Sequence, residues 1–343
     1  MPMTAVVILN RNGLEFLKKF LGKVVDFTAD EDTSVIVADN GSSDDSCKWI
    51  ADNFAQVRLI RFESNLGFAE GYNKALSEID AEYYVLLNSD IEVTGGWLKP
   101  LISYLEKNPE VAACQPKILS YRKRDHFEYG GAAGGFIDKY GFTFCRGRIF
   151  DNIEKDTGQY NGLAEIFWSS GACMAVRAEA WEKCGGLDPV FFAHMEEVDL
   201  CWRFHNAGYK VFYIPDSVVY HVGGGTLGYE SPFKTYLNFR NSLFLLYKNL
   251  PESELHKILF IRKLFDGLAA FRFLIKGQLK HASAVLKAHA DYYRKISVLR
   301  RKRQELIFKG IKPQFHFLNK SVVFEFYLKG NKTYRSIEKN YQG

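Results

Sequence analysis

The sequence predicts an α/β fold in which a mostly parallel sheet carries helices on both faces. Four short apolar runs bounded by polar residues are typical of buried strands. Between them, apolar residues recur every three or four positions, which indicates amphipathic helices. Strands that alternate with helices in this way cross over and lie parallel. The predicted strands span residues 4–10, 34–38, 57–62 and 83–87, and the helices between them span 13–26, 44–54 and 65–79.

The middle of the chain alternates less regularly. Residues 121–160 are rich in Gly, Tyr and Arg and predict a long irregular loop. The other predicted elements are helices at 96–107, 178–184, 196–207 and 233–248 and strands at 111–116, 210–214 and 217–220. These elements predict one α/β domain over residues 1–250.

The last part of the chain differs in charge. Residues 251–343 contain 20 Lys and Arg and 7 Asp and Glu, a net charge of +13, whereas residues 1–250 carry −8. This part is predicted to be a basic, amphipathic, mainly helical extension. It would lie in a membrane interface or pack on the main domain, and both alternatives stay open. Its apolar helical face contains Ile258, Ile261, Phe265, Leu268, Phe271 and Ile275.

Sequence features also bear on location and partners. The six cysteines form no CxxC pair, which is typical of a reducing compartment. The N-terminus lacks the pattern of a signal peptide, and no stretch is apolar enough to span a bilayer. We expect a cytoplasmic protein, with the inner face of the plasma membrane as a candidate contact. Nucleic acid is not expected as a partner, because no helix-turn-helix, RNP or zinc pattern is present.

Polar residues follow three of the predicted strands. Asn10, Asp39-Asn40 and Asn88-Ser89-Asp90 stand at positions where parallel strands end at one edge of the sheet. Each group alone is also typical of an Asx turn. Three at one edge favour a nucleotide cleft, and Asp90 is well placed to hold a divalent cation beside a diphosphate.

A second group of chemically active residues comes later. Glu196, Glu197 and Asp199 open a predicted helix after an aromatic approach. Glu196 and Asp199 share a helical face, and Glu197 points away from both. Acids in a first turn complement the helix dipole, but a carboxylate among apolar neighbours can also act as a base. His221 directly follows the strand predicted at 217–220 and precedes the glycines at 223–225, which favours it as a ligand near a phosphate.

From about residue 4 to about residue 250, the chain resembles family 2 glycosyltransferases with the GT-A fold, which has a Rossmann-like sheet. The closest resemblance is to the rhamnosyltransferase-like branch. Two departures are Asn88, where the family's DxD motif has its first Asp, and Glu-Glu at the base motif. The resemblance rests on Asp39-Asn40-Gly41-Ser42-Ser43-Asp44, Asn65-Leu66-Gly67-Phe68 with Gly71 and Asn73, Leu86-Leu87-Asn88-Ser89-Asp90, Gly185-Gly186-Leu187-Asp188 with Phe191-Phe192, Glu196-Glu197-Val198-Asp199-Leu200-Cys201 with Arg203, and His221.

The resemblance implies a role for each of these positions. Asp90 and His221 would bind Mg²⁺ or Mn²⁺, and Glu197 would be the general base, with Glu196 and Asp199 as the other acids of the catalytic group. Asp39 would bind the base of the donor nucleotide. The remaining donor-binding residues would be Asn10 at the ribose, Asn40, Asn65, Gly67 and Asn73 around the pocket, and Asn88, Ser89 and Arg240 at the diphosphate.

The implied reaction is an inverting transfer from a nucleoside-diphosphate sugar, either dTDP-rhamnose or a UDP-sugar. The acceptor would be a hydroxyl of a glycan, polyprenyl-diphosphate-linked, in cell-surface polysaccharide biosynthesis. Two alternatives remain. One is a non-catalytic sugar- or lipid-binding relative, which Asn88 favours. The other is a sugar-phosphate nucleotidyltransferase, which would need a Gly-rich basic loop that Asn10-Arg11-Asn12-Gly13 does not supply.

Overall fold

The computed structural model describes residues 3–29, 32–223, 231–314 and 318–339. Within these residues the centre of the fold is a nine-stranded, mostly parallel sheet, as predicted. The strands, in chain order, are β1 (Thr4–Asn10), β2 (Thr33–Asn40), β3 (Arg58–Phe62), β4 (Tyr83–Asn88), β5 (Ile91–Val93), β6 (Val111–Ser120), β7 (Gly135–Ile137), β8 (Thr143–Cys145), β9 (Arg148–Ile149), β10 (Asn152–Ile153), β11 (Ala164–Glu165), β12 (Cys173–Arg177) and β13 (Lys210–His221).

The strand order across the central sheet is β11-β13-β6-β12-β4-β1-β2-β3, with β5 paired to the far end of β13. β1 lies between β2 and β4 and is parallel to both. β12 is antiparallel to its neighbours β4 and β6, and the short strands β5 and β11 are antiparallel to β13. The carboxyl ends of β1, β2 and β4 therefore meet at one edge.

Helices cover both faces of the sheet. Alternate residues of β1 enter two different cores: Val7 packs with one cluster and Val6 with the other. The helices are α1 (Leu14–Thr28), α2 (Ser46–Asn53), α3 (Gly67–Leu76), α4 (Leu98–Lys107), α5 (Ala178–Cys184), α6 (Glu196–Asn206), α7 (Pro232–Asn249), α8 (Glu252–Ile275), α9 (Leu279–Phe308), α10 (Val322–Tyr327) and α11 (Tyr334–Lys339), with a 3₁₀ turn at Pro189–Phe191.

Two predictions about the middle of the chain are wrong. Residues 121–160 are not an irregular loop throughout, because β7 to β10 form a second, antiparallel sheet. These strands are two or three residues long, too short to show an alternating pattern. The strands predicted at 210–214 and 217–220 are one strand, β13, with a register shift between Ile214 and Val218, where Pro215 interrupts the pairing.

The C-terminal part is helical, as predicted. Leu255, Ile258, Tyr292 and Leu299 belong to the same hydrophobic cluster as the core residues of the main domain. The predicted apolar face of α8 divides: Ile258 is buried, whereas Leu268, Phe271 and Ile275 are exposed. None of the described helices combines the length and apolar character that a bilayer crossing demands.

Candidate active site

Asn10 and Asp39 are paired neighbours at the carboxyl ends of β1 and β2. Asn10 Nδ2 donates a hydrogen bond to Asp39 Oδ2 at 3.1 Å, and the Ser42 amide donates to Asp39 Oδ1 at 2.9 Å. Asn10 has no exposed surface, so its expected contact with a ribose is not what the structure shows. It lies behind Asp39 and orients the carboxylate.

The turn before α3 is held by asparagine side chains. Asn40 Nδ2 donates to the Gly67 carbonyl at 2.9 Å, and Asn40 Oδ1 accepts from the Leu66 amide at 2.8 Å. Asn65 Oδ1 accepts from the Gly67 amide at 3.0 Å. Gly67 has a φ of +80°, and a Cβ there would lie 3.0 Å from the Phe192 ring. These residues shape the pocket wall and bring Phe192 against it.

Asn73 and Arg240 form hydrogen bonds with backbone groups of the loop between α5 and α6. Asn73 bonds both backbone groups of Leu187, donating to its carbonyl at 2.7 Å and accepting from its amide at 2.9 Å. The Arg240 guanidinium donates to the Phe191 carbonyl at 2.8 Å and to Asn241 Oδ1 at 2.9 Å. The expectation that Arg240 clamps the donor diphosphate is therefore not supported, because its donors bind the chain itself.

The end of β4 meets the end of β1. The Asn88 amide donates to the Ala172 carbonyl at 2.9 Å, which fixes the strand end against the approach to β12. A Cβ on Gly13 would lie 3.3 Å from Ser89 Oγ and 2.3 Å from Asn10 Oδ1. A side chain at position 13 would displace the Asn10 carboxamide, so glycine leaves room for Asn10 beside Asp39.

Asp90 and His221 are in contact although they are far apart in sequence. Asp90 Oδ1 lies 3.1 Å from His221 Nε2, and the pairing of β5 with β13 brings them together. Glu128 Oε2 lies 3.4 Å from His221 Nδ1 on the other side of the ring. Burial lowers the pKa of His221, but Glu128 and Asp90 outweigh burial and raise it to about 10. Residues 224–230, which include Gly224 and Gly225 of the glycine loop expected after His221, lie outside the described residues.

The Asp90 and His221 pair fits a divalent cation. Two neighbouring ligand atoms of an octahedral cation, each about 2.1 Å from the ion, lie about 3.0 Å from each other. The separation of Asp90 Oδ1 and His221 Nε2 is close to this value, at 3.1 Å. Glu128 supplies the carboxylate that commonly fixes the outer nitrogen of a metal-binding histidine. Across the described ranges, no cluster of three or more His, Cys, Asp or Glu is placed to hold a metal ion. Other ligands would come from the diphosphate and water.

Glu196 and Glu197 begin α6. Glu196 is buried and Glu197 is partly exposed. Burial raises the pKa of Glu197 to about 7, and it raises the pKa of Glu196 well above its ordinary value. The Oε2 atom of each has no hydrogen-bond partner within the described part of the chain. Glu197 is the more accessible acid, and its pKa suits a general base near neutral pH.

The segment that leads into α6 is strained. Phe192, His194 and Met195 have φ values of 66°, 67° and 73°, which are uncommon for residues other than glycine. Asn241 on α7 stabilises the segment, because its Nδ2 lies 2.7 Å from the His194 carbonyl and 3.0 Å from the Phe191 carbonyl. No local sequence pattern marks Asn241 or Glu128 as a functional residue.

Asp199 does not belong to the catalytic group, contrary to expectation. It has no exposed surface, and its oxygens contact Arg203 Nε at 2.9 Å, Lys248 Nζ at 2.9 Å and Asn249 Nδ2 at 2.8 Å. Lys248 also contacts Asp188 Oδ2 at 2.6 Å. This buried network joins α6 to α7 and to the turn before the strained segment, so Asp199 positions the helix that carries Glu197.

Contacts link the predicted site residues into one region. Ser89 lies beside Asn10, which holds Asp39, and Asp90 follows Ser89 directly. Gly171 is next to Ala172, whose carbonyl accepts the hydrogen bond from the Asn88 backbone amide. A Cβ on Gly171 would lie 3.7 Å from Glu197 Cβ, so Glu197 is close to the end of β4. Glu197, Asp90 and the Asn10 and Asp39 pair therefore lie around the ends of β1 and β4.

The fold and this group of side chains define a glycosyltransferase of the GT-A type. The chain belongs to glycosyl transferase family 2, whose sequence model matches residues 5–184, just over half of its 343 residues. The match includes Asp39 and Asp90 but ends before α6.

Two curated relatives are rhamnosyltransferases. N-acetylglucosaminyl-diphospho-decaprenol L-rhamnosyltransferase of Mycobacterium tuberculosis is 27% identical over 228 residues, which cover 60% of this chain and 71% of the relative. Rhamnosyltransferase WbbL of Escherichia coli K12 is 24% identical over 220 residues, covering 62% of this chain and 81% of the relative.

A solved structure supports the fold over most of the chain. Mannosyltransferase PcManGT from Pyrobaculum calidifontis, determined with GDP-Man and Mn²⁺, superposes with a TM-score of 0.53 at 15% identity. The match covers 90% of this chain and 86% of the other. At this identity the comparison bears on the fold alone.

Proposed function

We propose that this protein transfers a sugar, with inversion, from a nucleoside-diphosphate sugar to a hydroxyl of a polyprenyl-diphosphate-linked glycan. The observation that carries the proposal is the position of Glu197, a carboxylate with a raised pKa, in the same region as the Asp90 and His221 pair. Metal dependence and inversion are parts of this proposal. Both relatives named above are rhamnosyltransferases, which favours dTDP-rhamnose over a UDP-sugar as the donor.

In this mechanism each residue has one task. Asp39, oriented by Asn10 and Ser42, binds the nucleotide base. Asp90 and His221 would hold Mg²⁺ or Mn²⁺, which would supply positive charge to the leaving diphosphate. Glu197 accepts the proton of the acceptor hydroxyl, whose oxygen bonds to the anomeric carbon as the bond to the diphosphate breaks. One carboxylate is enough for this single displacement.

The test is a panel of nucleotide sugars, including dTDP-rhamnose, UDP-glucose, UDP-N-acetylglucosamine and GDP-mannose. Each is incubated with Mg²⁺, with Mn²⁺ or with EDTA, and release of nucleoside diphosphate is measured. We expect turnover of one donor with metal, at least tenfold above the EDTA sample. No release from any donor would contradict a catalytic role, and equal release in EDTA would contradict the metal assignment.

The acceptor class also implies contact with a membrane surface. The C-terminal part is basic, with +13 over residues 251–343, and α8 exposes apolar side chains. Basic residues near an anionic leaflet and apolar side chains at its interface both favour binding. We propose that this surface holds the enzyme on the inner face of the plasma membrane, where a lipid-linked acceptor is presented.

A further inference from the structure

A groove of about 890 Å³ lies between the start of α7 and the first half of α9, outside the donor region. Phe233 and Tyr236 form one wall, and Lys280, Lys287 and Arg294 line the other. None of these residues is assigned a role in the mechanism above. The groove therefore combines aromatic surface with cations.

The basic wall follows a regular spacing along α9. Lys280, Lys287 and Arg294 are seven residues apart, and seven residues drift by only about 20° around a helix, so all three share a face. Asp291 lies on the same wall, but it accepts a hydrogen bond from Tyr236 Oη and contacts Arg294 at 3.2 Å. With three cationic side chains and one carboxylate in its lining, the groove has a net positive charge.

The aromatic wall reaches the base side of the active site. Phe233 is 46% exposed and stacks on Tyr236 with a centroid separation of 6.0 Å. The ring of Phe233 also meets the ring of Phe192 edge to face, with 6.5 Å between the two ring centroids. The Phe192 carbonyl accepts from the Phe68 amide at 3.2 Å, and Phe68 and Glu197 both border Gly171. Phe233 is thus connected through Phe192 and Phe68 to the surroundings of Glu197.

The groove also borders an apolar surface. Leu279, which lines it, is 66% exposed. Leu274 and Ile275, at the end of α8 just before it in sequence, are 51% and 72% exposed. An apolar chain that leaves the groove past Leu279 therefore meets exposed apolar side chains, which would otherwise face water.

We propose that this groove binds the prenyl diphosphate of the acceptor. Lys287 and Arg294, about 10 Å apart along α9, bind the diphosphate, Phe233 packs against the first sugar, and the prenyl chain leaves past Leu279. Cations suit phosphate oxygens, and an aromatic face suits the apolar face of a sugar ring. The proposal rests on the proposed function, because it names the part of the acceptor that is held while Glu197 acts on the terminal hydroxyl.

The test measures binding of farnesyl diphosphate, pyrophosphate and farnesol to the full-length protein by titration calorimetry. EDTA and constant salt are used, so that no cation recruits the diphosphates to Asp90 and His221. We expect farnesyl diphosphate to bind at least tenfold more tightly than either part alone. The Lys287→Ala/Arg294→Ala variant should weaken that binding at least tenfold. The control Lys295→Ala/Arg300→Ala, which removes equal charge from exposed positions of α9 outside the groove, should change it less than twofold.

Three outcomes would overturn the groove assignment: equal weakening in the control variant, unchanged binding in the groove variant, or pyrophosphate binding as tight as that of farnesyl diphosphate. The last would indicate a site for free phosphate groups. Failure of the proposed function is a separate result. Wild-type protein that binds farnesyl diphosphate as expected, yet releases nucleoside diphosphate from no donor, would contradict catalysis while the groove assignment stands.

Discussion

Glu197 is the residue on which the proposed chemistry depends most. Because a base must be deprotonated, we expect log kcat/KM for transfer to rise with pH below the pKa of about 7 and to level off above it. Glu197→Gln removes the base and should lower the rate by about 10²- to 10⁴-fold. Initial rates between pH 5.5 and 9 test both statements. Retained turnover in the variant would show that another group takes the proton.

The stability of the same variant serves as its control. Burial raises the pKa of Glu197 above that of an unfolded glutamate, so the folded state holds this proton more tightly. Its contribution to stability is therefore present at low pH and is lost as pH rises through about 7. Glu197→Gln should melt at or above the wild-type temperature at pH 8. A lower melting temperature would mean that lost activity reflects misfolding.

Glu128 gives a second prediction at this scale, because it contacts the outer nitrogen of His221. Loss of such a carboxylate typically weakens metal binding by about 10- to 100-fold. We expect Glu128→Gln to raise the Mn²⁺ concentration for half-maximal activity by such a factor, with a smaller effect on the rate at saturating Mn²⁺. A change in the saturated rate alone would indicate that Glu128 does not act through His221.

Sequence patterns predicted which candidate residues lie near one another better than they predicted what each residue contacts. Asp39 lies at the end of β2 and Asp90 directly follows β4, so parallel topology places both at one edge, whereas His221 reaches Asp90 through the antiparallel pairing of β13 with β5. Asp199 and Arg240 stand beside functional positions but bind the chain itself, at distances that only packing determines. Spacing along a chain shows which helical face a residue occupies, and it does not show what packs against that face.

At the scale of elements, strands β1, β2 and β4 were predictable because each contains a continuous buried run, whereas β3, at the edge of the sheet, buries only Ile60 and Phe62. β7 to β10 were not predictable, since two- and three-residue strands depend on tertiary contacts for their pairing. The predicted helix at 178–184 matches α5 residue for residue. The prediction therefore worked where local burial alone sets the structure and failed where the pairing is set by the surrounding fold.

The buried ion network makes a prediction about α6. Lys248 is almost fully buried and bridges Asp188 and Asp199, whereas Lys302 contacts Asp188 from a more exposed position. Removing one partner of a buried ion pair costs about 3–5 kcal/mol. We expect Lys248→Met to lower the free energy of unfolding by that amount, as measured by urea denaturation. Lys302→Met is the matched control and should cost about 1 kcal/mol or less. Equal losses would show that the network is not organised around Lys248.

The whole molecule is not a main domain with a loosely attached tail. Leu255, Ile258, Tyr292 and Leu299 complete the cluster that lies beneath α6 and α7. Deleting residues 251–343 would expose this core, and loss of membrane binding in such a protein would be ambiguous. Surface substitutions on α8 are the sharper test, because they remove exposed apolar area and leave the core unchanged.

The exposed side of α8 carries the prediction about membranes. Phe260, Leu264, Leu268, Phe271 and Ile275 recur every three or four residues and are each more than half exposed. Burying one large apolar side chain contributes about 1.5–3 kcal/mol, so Leu268→Ser/Phe271→Ser should weaken binding to phosphatidylglycerol vesicles at least tenfold in a co-sedimentation assay. Leu163→Ser, at a position 52% exposed on the main domain, is the control and should bind like wild type.

Because the extension carries a net charge of +13, binding should also fall as the salt concentration increases and be weaker on neutral vesicles. If the double variant bound as strongly as wild type, this face of α8 would not be the contact surface, and the acceptor would have to be reached by another route.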